Sequence, residues 1–237
     1  LPIGGGGLTA GVSTYFEKIS PHTHIVGTEP EGAPSMLTSI QNHKNTALEE
    51  IDGFVDGAAV KKVGDLTFEI CQKNLDEMLL IPEGRICTTI LNLYNNEGIV
   101  VEPAGALTLA ALSLYEKEKI KGKNVVCVVS GGNNDIMRTA EIKERSLLYE
   151  GLKHYFMIQF PQRPGALKDF VSKILGPEDD IAYFQFSKKN NRENCPAVVG
   201  IELKNPKDIT GIFERLKSNK FKYNYLNENP DLLILLM

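Results

Sequence analysis

The sequence predicts an α/β domain built on a parallel sheet, followed by a smaller α+β domain of the order β-α-β-β-α-β. Three observations predict it. Short apolar runs alternate with helix-period segments through the first 150 residues, the pattern of strand–helix–strand units. Two Gly-rich turns, Gly4 to Gly7 and Gly131-Gly132, each follow an apolar run, where open parallel sheets receive ligands. After Ala140 the character changes, and a charged stretch, Glu141 to Gly151, leads into a second set of alternating strands and amphipathic segments. The boundary is read as residues 1–150 and 151–237.

The elements follow in order. Leu8 to Lys18 is helical, with Leu8, Val12 and Tyr15-Phe16 a turn apart. His24 to Gly27 is a short strand, and Thr28 to Pro34 is a turn-rich exit set by two prolines. Ser35 to Gln41 is a short helix. His43 to Ala59 is a polar loop that ends in Val55-Asp56-Gly57-Ala58. Asp65 is a suitable N-cap for a helix over Leu66 to Asn74. Glu77 to Pro82 is a strand, and Gly84 to Asn95 is a helix with Ile86, Ile90, Leu91 and Tyr94 on one face. After Glu102-Pro103-Ala104-Gly105-Ala106 comes an Ala- and Leu-rich buried helix, Leu107 to Lys117. Asn124 to Val129 is a continuous apolar run of the kind buried on both faces of a parallel sheet. In the small domain, strands at His154 to Phe160, Ile181 to Ser187, Ala197 to Glu202 and Asp231 to Leu236 enclose helices at Leu167 to Leu175 and within Pro206 to Asn219. The two middle strands are joined by a polar hairpin, Lys188 to Asn194.

Composition narrows the function. The chain has 237 residues, 42% hydrophobic and 24% charged, in the range of globular proteins. A net charge of -4 gives no electrostatic support to nucleic-acid binding. No apolar run reaches membrane-spanning length and no signal peptide is visible. Cys71, Cys87, Cys127 and Cys195 form no close pair, so neither a zinc site nor a disulfide framework follows, and they read as reduced thiols of a cytoplasmic protein. His22, His24, His43 and His154 show no ligand spacing. No metal site is expected.

The chemistry concentrates at the start. Gly4, Gly5, Gly6 and Gly7 leave no side chain between backbone and ligand, and Leu8 opens a helix. A Gly-rich turn at a helix N-terminus presents unpaired N–H groups to an anion, and the helix dipole adds attraction. The bland alternative is a flexible linker, but linkers carry serine and need no apolar helix behind them. The spacing matches neither the Gly-x-x-x-x-Gly-Lys-Ser/Thr loop nor Gly-x-Gly-x-x-Gly, which points to a phosphate other than a nucleotide's. Ser130 stands in the second Gly-rich turn, either as a cap or as a ligand hydroxyl. Glu102 is either a dipole-favoured helix-start carboxylate or an acidic group at the site. Gly57 is either a plain turn residue or a close-approach glycine. Arg163 reads as a solvated charge or as a ligand contact.

Pro2-Ile3-Gly4-Gly5-Gly6-Gly7-Leu8, Glu102-Pro103-Ala104-Gly105-Ala106 and Ser130-Gly131-Gly132-Asn133 resemble the threonine dehydratase family. These are fold-type II pyridoxal-phosphate enzymes, similar in fold to the tryptophan synthase β subunit. Arg163-Pro164-Gly165-Ala166-Leu167 resembles the turn of the ACT-like regulatory domain of the biosynthetic form. The resemblance implies a parallel-sheet catalytic domain present in part, plus one ferredoxin-like ACT-like domain, as in the shorter bacterial form. It implies pyridoxal 5'-phosphate held by Gly4, Gly5, Gly6, Gly7 and Leu8, with Ser130 facing the pyridine nitrogen, and Gly57 and Glu102 near substrate and cofactor. It implies L-threonine as substrate, isoleucine or valine as effectors near Phe160, Arg163 and Leu167, and a homo-oligomer, dimer or tetramer. The family's Schiff-base lysine lies in a Ser-x-Lys-x-Arg-Gly-Ala motif that this sequence does not contain. The expectation is therefore the C-terminal part of a longer enzyme, inactive by itself. Glu29 and Ala33 match two positions of a cation site in related dehydratases, but Ser35 stands where a carboxylate is expected. Two readings compete with threonine deamination: an amino-acid-binding regulatory fragment, and another fold-type II lyase such as serine dehydratase.

Overall fold

The computed structural model describes residues 1–186, 194–229 and 232–233. The chain divides into two compact units, Leu1–Lys143 and Glu144–Met237. The division falls inside a helix rather than at residue 150.

The first unit starts with the glycine loop and helix α1 (Gly7–Ile19), then strand β1 (Val26–Pro30) and helices α2 (Ser35–Gln41) and α3 (Asp65–Asn74). Strand β2 (Glu77–Ile81) returns parallel to β1, in the register Val26 to Glu77 through Pro30 to Ile81. Pro2 bridges Thr28 on β1, also in parallel, so the segment entering the glycine loop is pinned beside that strand. Helices α4 (Glu83–Asn92), α5 (Pro103–Leu114) and α6 (Lys117–Ile120) follow, and α7 (Thr139–Tyr149) crosses into the second unit. Ile3, Ala10, Met36, Val63, Phe68 and Cys71 fill one core between α1, α2 and α3. Ile81, Ile86, Ile90, Val101, Leu107 and Ala110 fill another around α4 and α5, with Phe54, Val55 and Ile142. Most of α5 is buried around its whole girth, which is why its sequence is alanine and leucine with no polar stripe.

Several local expectations change. Asp65 is the first residue of α3, not its cap; Gly64 takes the N-cap place, and the Asp65 carboxylate accepts from the Asn45 amide instead. α4 ends at Asn92 and passes into a π-helical turn, Leu93–Glu97, closed by Gly98 at φ 67. α5 starts at Pro103, four residues before the expected helix, because proline at the first position needs no N–H partner. The apolar run 124–129 is not a strand. Val128 O accepts from Thr108 Oγ1 at 2.9 Å, but no ladder neighbour runs beside the segment among the described residues, and Val126 is 84% exposed. An apolar run becomes a strand only where a partner strand accepts its N–H and C=O groups.

The second unit is an antiparallel sheet of order β4-β5-β3-β6. Its strands are β3 (Lys153–Pro161), β4 (Asp180–Phe186), β5 (Asn194–Glu202) and β6 (Tyr223–Tyr225), with helices α8 (Ala166–Ile174) and α9 (Ile209–Ser218). Phe156, Ile158, Phe160, Val199 and Ile201 face Phe170, Ile174, Ile212 and Leu216 of the helices. The β-α-β-β-α-β order holds, and among the described residues its last strand is Tyr223–Tyr225. Most of the strand expected at Asp231 to Leu236, and the hairpin except Asn194, lie outside the described residues. β6 forms where it does because Phe156, Met157 and Ile158 offer it a free edge of β3, and Tyr223 and Tyr225 pack their rings on Phe156 and Phe213.

Candidate functional site

The glycine loop is held by its carbonyls. Ile3 N donates to Thr28 O at 2.9 Å and Thr9 Oγ1 to Pro2 O at 3.1 Å, fixing both ends. Gly5 O accepts from Thr67 Oγ1 at 2.6 Å and from Gly64 N at 3.3 Å. Gly6 sits at the N-cap of α1 at φ 88, a left-handed conformation that favours glycine. With the carbonyls engaged on α3, the N–H groups of Gly5, Gly6, Gly7, Leu8 and Thr9 have no acceptor among the described residues; Ala10 is the first donor, to Gly6 O at 2.8 Å. No side chain caps the helix.

The four glycines differ in what surrounds them. A Cβ on Gly5 or Gly7 would meet nothing within 4 Å. A Cβ on Gly6 would strike Met36 Cε and Thr67 at 2.9 Å, and one on Gly4 would press on Gly57 O and Ala58 Cα at 3.1 Å. Gly5 and Gly7 therefore leave open space beside five unpartnered N–H groups, a donor set of the kind that suits the phosphate of a pyridoxal cofactor. Gly4 and Gly6 are small for packing.

The other candidate residues gather next to this loop. Gly4 lies on the Gly57-Ala58 turn, and a Cβ on Gly57 would be 3.3 Å from Glu102 Oε1. Glu102 N donates to Gly131 O at 3.2 Å, and its carboxylate occupies the space a Gly131 side chain would need. The Glu102 side chain makes no capping bond to α5; it is turned toward Gly57 and Gly131 instead. Gly105 lets α5 approach Gly131 O closely. Ser130 is exposed on the same segment. Gly4, Gly57, Glu102 and Gly131 thus form one wall, although they come from four separate stretches of sequence. Thr67 and Gly64, which anchor Gly5 O, carry no sequence signal of that role.

Glu29 lies on β1, fully buried, and caps α2: its carboxylate accepts from Met36 N at 2.7 Å and Leu37 N at 3.0 Å. Burial pushes its pKa up to about 7, against the pull of those two N–H bonds. Ser35 Oγ donates to Val60 O, away from that carboxylate. Among the described residues no group of three or more His, Cys, Asp or Glu could hold a metal ion. His154 bridges Tyr225 OH and Gly151 O at 2.8 and 2.9 Å.

In the second unit, Phe160, Arg163, Leu167, Phe184 and Phe186 line one cavity of about 490 Å³ at the start of α8. Gly165 caps that helix at φ 82 without a side-chain bond. Phe160 is buried and reaches the cavity from the core, edge-on to Phe184 and Phe186. Arg163 is paired with Asp169, which draws the Asp169 carboxyl below its ordinary range.

This geometry belongs to a known class of fold. Residues 1–131 match the pyridoxal-phosphate-dependent enzyme family, and the chain belongs to it. Residues 144–236 match the C-terminal regulatory domain of threonine dehydratase. The chain is 58% identical over 235 residues to the biosynthetic L-threonine dehydratase IlvA of Halalkalibacterium halodurans and 54% identical to that of Bacillus subtilis, covering 99% of this chain and 56% of each relative. It thus spans little more than half the length of those relatives. Among solved structures it is similar to the processed form of threonine deaminase isoform 2 from Solanum lycopersicum, with TM-score 0.59 and 40% identity over 61% of this chain and 43% of that one. It is also similar to maize serine racemase, with TM-score 0.53 and 30% identity over 60% of this chain and 46% of that one. No helix among the described residues is long and apolar enough to cross a membrane.

Proposed function

We propose that this chain supplies the phosphate cradle and one wall of the active site of a pyridoxal-phosphate-dependent threonine ammonia-lyase, together with its regulatory domain. The reaction converts L-threonine to 2-oxobutanoate and ammonia, the first step of isoleucine biosynthesis. The observation that carries it is the run of unpartnered N–H groups from Gly5 to Thr9 beside the Gly57–Glu102–Gly131 wall. The cofactor, when bound, supplies the electron sink that lets bonds at the amino acid's α-carbon break. Gly4, Gly5, Gly6, Gly7 and Leu8 would hold its phosphate through backbone N–H groups. The Ser130 hydroxyl, donor or acceptor as required, would meet the ring nitrogen without imposing a proton, which favours elimination over transamination. Glu102 would set the charge at the ring edge, and Gly57 would let substrate lie close to backbone.

The unit from Glu144 onward would act as the regulatory domain. The N-terminus of α8 receives an effector carboxylate, and Phe160, Leu167 and the cavity's other apolar walls receive a branched side chain such as that of isoleucine or valine. Arg163 closes the cavity rim through its pair with Asp169. The assembly is a homo-oligomer, a dimer or tetramer, of the cytoplasm. A second reading, that the chain serves only as an amino-acid-binding regulatory piece, is favoured by one fact: no lysine stands among the convergent site residues.

The test separates the two. The full-length protein carrying this chain, given pyridoxal phosphate and L-threonine, should release 2-oxobutanoate and ammonia in equal amounts. The 237-residue chain alone should trap no unique pyridoxyl-lysine on borohydride reduction. Release of pyruvate from L-serine with no turnover of threonine would move the reading to a serine dehydratase.

A further inference from the structure

We propose that Arg138 is a positioning residue that holds the Gly57 turn in place against Glu102 and the glycine loop. The inference rests on the reading of that wall as the substrate-facing side of the site.

Arg138 reaches back across the fold to the loop that carries Gly57. Its Nη2 donates to Phe54 O at 2.6 Å, and its guanidinium lies 4.8 Å above the Phe54 ring. Its Nη1 is 3.5 Å from the Asp56 carboxylate. One planar cation therefore grips the backbone and ring of Phe54 and the charge of Asp56, directly before Gly57. Phe54 and Val55 are buried in the core, and Ala58 N and Ala59 N both donate to Val55 O, at 2.8 and 2.7 Å, so the turn moves as a rigid piece. What the guanidinium holds at Phe54 is passed to Gly57, whose position decides the gap to Glu102 Oε1 and the seat of Gly4.

The other end of the link is equally specific. Arg138 follows Ser130-Gly131 on the same segment, and Gly131 O is the acceptor of Glu102 N. Arg138 thus ties together the two backbone turns that flank Glu102. Its side chain is 23% exposed and well placed to resist exchange with water. A lysine could keep the charge but not the planar stack and the directed N–H. An ordinary surface arginine would show one such contact, screened and mobile.

The experiment uses the full-length protein with pyridoxal phosphate bound. Arg138→Met should raise KM for L-threonine by about tenfold, with a smaller change in kcat, because misplacing a site wall weakens substrate positioning before it touches the bond-breaking groups. Arg138→Lys should recover part of the loss. Hydrogen exchange at residues 54–59 should accelerate in Arg138→Met, while the rest of the first unit keeps its protection. Unchanged KM in Arg138→Met overturns the proposal. So does a fall in kcat and in protection spread over the whole unit and equally present in Arg138→Lys, since that is general destabilisation. Gly57→Ala distinguishes the two levels of the argument. A normal KM there removes the Gly57 turn from the site and sinks the functional reading itself; a raised KM there with a normal KM in Arg138→Met overturns the role of Arg138 alone.

Discussion

Single residues decide how the first unit answers to pH, and Glu29 is the clearest case. It is buried with no cation beside it among the described residues, so its charged form is costly in the folded state, and its pKa rises to about 7 from an ordinary 4.5. Burial first, and then the same carboxylate, push the Cys71 thiol up to about 11. The sign follows from proton counting. Between pH 4.5 and about 7 the folded state binds more protons at Glu29 than the unfolded one, so stability falls as pH rises through the window and stays low above it. The shift corresponds to about 3 kcal/mol over the window. Calorimetry of the first unit's transition at pH 5 and pH 8 should show a lower transition at pH 8. Glu29→Gln should flatten the dependence; an equally steep dependence in that variant would assign it to other groups.

At the scale of elements, the loop–helix junction separates two kinds of glycine that look identical in sequence. Gly6 is needed by the fold: at φ 88, with Met36 and Thr67 in the way, Gly6→Ala should cost about 1–3 kcal/mol whether or not cofactor is present. Gly5 has open space at its Cβ position, so Gly5→Val should leave the thermal transition of the cofactor-free protein nearly unchanged. In the full-length protein, however, its branched side chain would enter the space proposed for the cofactor phosphate. Loss of cofactor on dialysis in Gly5→Val, but not in wild type, is the expected result. Full retention would count against the cradle. A double replacement of Gly5 and Gly6 would confuse the two effects. The neighbouring run 124–129 teaches a related lesson: its composition is that of a buried strand, yet its backbone forms no ladder with the described residues, and Val126 lies open. An element of this type is a relation between segments and not a property of one.

At the scale of the molecule, the second unit has its own core of Phe156, Phe160, Phe170, Val199, Ile201, Ile212 and Leu216, closed by four strands and two helices. A core of that kind can support folding without the first unit. Residues 144–237 expressed alone should unfold in one cooperative transition. In the full-length protein, isoleucine should raise the threonine concentration for half-maximal rate, because an effector shifts activity only by preferring one conformational state. Removing residues 144–237 should abolish that effect and leave part of the catalysis. Effector-independent kinetics in the intact protein, with no calorimetric binding of isoleucine or valine, would leave the unit as an assembly module.

The sequence by itself determined the two-part architecture, the β-α-β-β-α-β order of the second unit and a glycine loop that opens a helix. Each of these rests on local signals: hydrophobic period, proline and glycine punctuation, and backbone left bare of side chains. Helices α2, α3 and α8 were legible to within a residue or two for the same reason, since their hydrogen bonds close within the segment. Tertiary structure alone decided the rest. That Gly5 and Gly7 face open space while Gly4 and Gly6 are packed depends on Gly57, Met36 and Thr67, residues far along the chain. That Glu102 turns from its helix toward Gly57 and Gly131, and that Arg138 reaches Phe54, are long-range pairings no spacing encodes. Strand β6 formed at Tyr223–Tyr225 because the open edge of β3 and the rings of Phe156 and Phe213 were there to receive it. Strand pairing and side-chain convergence are set by which distant surfaces meet, and that is settled only when the chain has folded.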